Sequence, residues 1–194
     1  MTKSVIVGIV VCAALFGLQA ALTNKKGTES DVQALLSRML PHAWNFVALE
    51  YCYGILNRTY VVFVTDEMIC GARVRGPLPA PLLVTERWSD PYFFPRPSHV
   101  SRYAGIDLTS AGFKKMSLAN FQIPLGEVEK VWLNSDPKWG MGTVPYSGRI
   151  HLRLRNGKTR ELILLGKQDA PSLVERLRTR CSTAPGAPEV RLVS

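Results

Sequence analysis

Four hydrophobic patterns follow one another along the chain. From Ser4 to Leu22 the stretch SVIVGIVVCAALFGLQAAL is an uncharged run between Lys3 and the pair Lys25 and Lys26. Val32, Leu35, Leu36, Met39 and Leu40 then recur at helical spacing. From Thr59 onward, short β-branched and aromatic stretches alternate with turn residues. After Asp169 the helical period returns with Leu173, Val174 and Leu177.

The first pattern predicts a transmembrane helix. Nineteen residues span about 28 Å, close to the hydrocarbon thickness of a bilayer. A cleaved signal needs small residues three and one before the cut. Cutting after Ala20 places Leu18 at the earlier position, and cutting after Ala21 places Gln19 there. Cys12 follows Val11, which makes a poor lipid-attachment site. Lys25 and Lys26 against Lys3 favour a single-pass protein with its main domain on the cytoplasmic side. Cys52, Cys70 and Cys181, odd in number and without framework spacing, agree with that side. The triplet Asn57-Arg58-Thr59 is a glycosylation sequon only on the opposite side.

Residues 28–50 are expected to link anchor and domain. Ser30 with Gln33 has capping-box form, and Pro41 ends the helical pattern. The domain itself is expected over residues 51–180. It opens with a hairpin, Thr59 to Val64 and Met68 to Val74, turning at Thr65, Asp66 and Glu67. Gly76 to Arg102 is an insertion with six prolines, which leave room for a short strand at Leu82 to Thr85 at most. Trp88, Tyr92, Phe93 and Phe94 within it are expected against the core, a partner groove or membrane-interface contact being the alternative. Strand signals return in AGIDLTSAGFKKMS, with a turn near Ser110 to Gly112, and in FQIPLGEVEKVWL, Phe121 to Leu133. A proline- and glycine-rich loop, Asn134 to Gly148, leads to a last hairpin. Asp169 as N-cap and Pro171 in the first turn begin a closing helix, and residues 181–194 form a loose tail.

The last hairpin, RIHLRLRNGKTRELILLG from Arg149 to Gly166, alternates one for one. Ile150, Leu152 and Leu154 face a core; Arg149, His151, Arg153 and Arg155 face away. Asn156-Gly157 suits a tight turn because both positions accept positive φ. A two-residue loop sets Arg155 opposite Lys158 and Arg153 opposite Arg160, a register that would profit from a bound anion. A three-residue loop sets His151 opposite Glu161 and Ile150 opposite Leu162, and needs no ligand. Both fit the pattern.

Charge sharpens the picture. The chain carries +9 overall, and Arg149 to Arg180 holds nine lysines and arginines against Glu161, Asp169 and Glu175. Such a local field suits an anionic partner. The candidate partner-binding residues are Arg149, Arg153, Arg155, Lys158 and Arg160, facing anionic lipid headgroups or an acidic protein. A solvated face is the plain alternative.

Three stretches, NRTYVVFVTDEMICGARV, FQIPLGEVEKVWL and GRIHLRLRNGKTRELILL with its helix, resemble bacterial pleckstrin-homology-like domains of the PH and GRAM type. The resemblance covers Tyr51 to Arg180 and implies about seven short strands, bent into an antiparallel sheet or small barrel, closed by a C-terminal helix. It implies a membrane-associated binding or scaffolding module without catalytic residues. The insertion at 76–102 departs from the compact form.

No Gly-x-Ser-x-Gly, His-Glu-x-x-His, Cys-x-x-Cys or Walker-type loop occurs, so no catalytic, cofactor or metal site is expected. His42, His99 and His151 lack metal spacing and are expected in turns, loops or on the surface. Cys52 and Cys70 are expected as small buried hydrophobes. A nucleic-acid binder using the same basic strand, with Trp139 or Tyr146 for stacking, is the alternative class. An enzyme whose site assembles only in three dimensions is the other.

Overall fold

A computed structural model describes residues 44–51, 57–75, 78 and 93–184. The apolar run at 4–22, the capping-box segment, Cys52, Leu82 to Thr85, Trp88, Tyr92 and the tail from 185 lie outside the described residues. Among the described residues, no helix is long and apolar enough to cross a membrane.

Seven strands form one antiparallel sheet: β1 (Trp44–Glu50), β2 (Arg58–Val64), β3 (Met68–Arg73), β4 (Phe121–Pro124), β5 (Val128–Asn134), β6 (Tyr146–Leu154) and β7 (Thr159–Leu165). Their order is β4-β3-β2-β1-β7-β6-β5. The two edge strands, β4 and β5, are joined by one 3-10 turn, Leu125–Glu127. The sheet must therefore curl until its edges approach, giving a half-barrel. A C-terminal helix, Ala170–Thr183, closes it by packing Val174 and Leu177 on the concave side against Val131, Ile150 and Leu152.

The convex side is covered as well. Helices α1 (Pro97–Val100) and α2 (Ala111–Met116) sit with Tyr103, Leu108 and Phe113 over Val61, Phe63 and Cys70. Phe93, Met141 and Val144 cover Leu49, Ile163 and Leu165. The closing helix is α3 in chain order. β2 consequently has buried residues on both faces, which explains its unalternating RTYVVFV. At Gly71 the Phe121 ring lies where a side chain would begin, so only glycine fits beside it.

Three expectations need correction. The closing helix runs through Thr183 and Ala184 is buried against the core, so 181–184, expected in the loose tail, belong to the domain. β1 adds a strand N-terminal to Tyr51, where a connection was expected; Phe46 and Ala48 face one core while Leu49 faces another. AGIDLTSAGFKKMS holds no strand pair. Asp107 Oδ1 accepts from Thr109 N at 2.8 Å, making a local turn, and Ser110 Oγ accepts from Phe113 N at 3.4 Å, capping α2.

Candidate anion-binding surface

The last hairpin takes the three-residue loop. His151 lies opposite Glu161 and Ile150 opposite Leu162. Leu154 N donates to Lys158 O at 2.8 Å, and Gly157 N to Leu154 O at 2.9 Å. Gly157 has φ +81°, the left-handed residue that such a loop requires. The tip is braced against the 3-10 turn: Arg155 N and Nε donate to Glu127 O at 2.9 Å and Gly126 O at 2.7 Å.

This register divides the five candidate cations. Arg160 lies opposite Leu152, a concave-side core residue, and therefore leaves the basic stripe altogether. Its Nε donates to Glu50 Oε1 at 2.8 Å, and its guanidinium lies 3.7 Å from the centre of the Phe121 ring. Arg149 keeps its face, yet its side chain is only 12% exposed and its Nη1 donates to Glu161 Oε1 at 2.9 Å. Arg153, Arg155 and Lys158 remain exposed. Arg153 pairs with Glu129 at 3.3 Å in a half-exposed contact.

Glu161 organises the convex face beside the stripe. Lys138 Nζ donates to its Oε2 at 2.6 Å, and His151 Nε2 lies 3.7 Å from Oε1. Lys138 N also donates to the Tyr146 hydroxyl at 2.6 Å, fastening the β5–β6 loop to the sheet. Burial would raise the Glu161 carboxyl, but hydrogen bonds and charges from Lys138 and Arg149 outweigh it and hold it below the usual range. The His151 ring stacks on Trp132 at 4.9 Å between centroids, and it is only partly buried. Burial lowers its pKa; Glu161 opposes this, while Arg149 and Lys138 reinforce it.

Lys130, Trp132 and Lys138 belong to this surface and were not among the candidates. EVEKVWLN contains the signal for two of them, since Lys130 and Trp132 flank the inward Val131 on a strand. Lys138 sits in an irregular loop, where no period applies. Among the described residues, no group of three histidines, cysteines or carboxylates could hold a metal ion.

No family model and no curated protein matches this sequence. Among solved structures, the chain is similar to the C-terminal domain of an unknown protein from Leishmania infantum, at 9% identity and a TM-score of 0.41, over 77% of this chain and 97% of that one.

Proposed function

We propose that a PH-like, non-catalytic binding module is held at a membrane by the apolar segment 4–22, with the hairpin tip contacting anionic lipid headgroups. The seven-stranded curled sheet closed by a C-terminal helix supports the PH-like reading. The observation that carries the partner reading is the exposure of Arg153, Arg155 and Lys158 within six residues of a braced tip. Glu129 competes for Arg153, but an ion pair so exposed contributes at most about 1 kcal/mol and exchanges readily. Each cation beside an anionic leaflet contributes about 1 kcal/mol in turn.

The test uses the chain from residue 28 onward, so that the apolar segment cannot carry it to the bilayer. It should co-sediment with phosphatidylserine-containing vesicles and lose that binding when Arg155→Glu and Lys158→Glu are combined. Undiminished binding by the double variant overturns the reading, and capture by an acidic protein alone replaces the lipid. A nucleic-acid reading is less well supported. The exposed Trp139 lies in the loop before β6, whereas the tip follows that nine-residue strand, so the basic tip carries no stacking ring of its own.

A further inference from the structure

The turn between α2 and β4 is firmly held at its base and carries a bare leucine at its apex. Asn120 N donates to Ser117 O at 2.9 Å and Asn120 Nδ2 to Phe113 O at 2.8 Å. The Tyr60 hydroxyl donates to Ala119 O at 3.0 Å. Between these fixed points Leu118 is fully exposed, at 107% of its reference area. A single exposed leucine is ordinary. Its setting points further: Lys114 and Lys115, in the last turn of α2, are also exposed, and neither pairs with a carboxylate among the described residues. Both lysines thus offer uncompensated charge beside a rigidly presented apolar side chain.

The turn is linked to the last hairpin through one ring contact. Leu118 precedes by three residues the Phe121 ring that stacks under Arg160, and Arg160 follows Lys158 by two. Leu118 and the tip cations are thus each a few residues from the Phe121–Arg160 contact.

We propose that Leu118 is a wedge that enters the acyl boundary of an anionic bilayer, with Lys114 and Lys115 among the headgroups. This rests on the headgroup reading given above and adds an insertion point to it. Lysine stems lie along apolar surface while their ammonium groups stay at the polar layer, so the two residue types suit one depth. Charge attraction and a small inserted group are each weak alone and bind together.

The experiment uses the same chain from residue 28 onward, which holds every described strand and the closing helix, with Leu118→Trp, mixed with vesicles whose lipids carry brominated tails. With phosphatidylserine present, tryptophan emission should be quenched more than in the unsubstituted chain, whose four tryptophans supply the baseline. Leu118→Asp should weaken association several-fold at an unchanged unfolding midpoint. Equal quenching of the two chains, in vesicles whose binding still depends on Arg155 and Lys158, overturns the wedge and leaves the headgroup reading standing. Binding that needs neither the tip cations nor Leu118 removes both. Extra quenching of equal size in pure phosphatidylcholine also overturns the proposal, since the lysines would then contribute nothing. A dimer in solution that Leu118→Asp dissolves overturns it too, by assigning the leucine to a second copy.

Discussion

Arg160 and Glu50, 110 residues apart in the chain, meet at 2.8 Å on the concave side of the sheet. Glu50 Oε2 also lies 3.1 Å from the Tyr60 hydroxyl, whose one proton is shared between this carboxylate and Ala119 O, and 3.8 Å from Arg58. One carboxylate thus joins β1, β2 and β7 at the open mouth of the half-barrel. Burial, and then the charge of Glu50, raise the Tyr60 pKa, so its hydroxyl stays protonated and donates.

Removing Arg160 should accordingly be a stability event. Arg160→Ala withdraws one partner of a mostly buried pair and uncovers the Phe121 ring; it should cost about 2 to 3 kcal/mol in urea unfolding. Arg160→Lys should recover only part, because an ammonium does not stack flat on the ring. Vesicle binding at a temperature where both variants are folded should match the parent chain. A midpoint unchanged by Arg160→Ala would falsify this placement of the residue.

The β7 register explains how far the sequence could be followed. Alternation in RIHLRLRN identified the core side of β6, and Ile150 and Leu152 are there. Beyond the turn, Leu162 to Leu165 are all buried because both faces of β7 are covered, so period two disappears and one residue of slip changes no polarity pattern. Only the turn geometry at Gly157 decides, and Asn-Gly permits either loop. β1 was hidden for the same reason, with apolar residues buried on both sides of WNFVALE. Asp169, Pro171 and the stripe of α3 were legible because capping is local. The Glu161 cluster was half legible: its pairing with His151 follows from one register, whereas Lys138 arrives from a loop.

Glu161 is expected to hold the β5–β6 loop in place. Glu161→Gln keeps the shape but removes the charge that both Lys138 and Arg149 contact, at 2.6 and 2.9 Å. Hydrogen bonds to a charged acceptor contribute about 1.5 to 3 kcal/mol, and partial exposure puts the loss here near 1 to 2. The loss should be local. Hydrogen exchange at the Lys138 and Val144 amides should quicken, while that of β2, buried on both faces, stays slow. Equal acceleration in both places would mean that the carboxylate supports the whole fold rather than the loop.

His151 gives the domain a pH dependence whose sign follows from its surroundings. It faces Trp132 and Lys130 on β5, Arg149 and Arg153 along β6, Glu161 on β7 and Lys138 from the loop. Burial first, and then Arg149 and Lys138, lower its pKa against the pull of Glu161. Below about pH 6.5, its ordinary value, the unfolded chain binds a proton that the folded chain resists. Stability should therefore fall as pH drops through that value and level off once the folded imidazole is also protonated. His99 is lowered too, again chiefly by burial, and contributes a slope of the same sign. Replacing His151 with Gln isolates its share: unfolding midpoints followed from about pH 8 to about pH 5 should decline less steeply than in the parent. Glu161 enters only at lower pH, because its depressed pKa stabilises the fold above the ordinary carboxylate range and releases that stability as the folded carboxyl protonates. Parallel midpoint curves for the parent and His151→Gln would show that the stacked imidazole titrates alike in both states, and that its packing against Trp132 leaves no mark on its proton affinity.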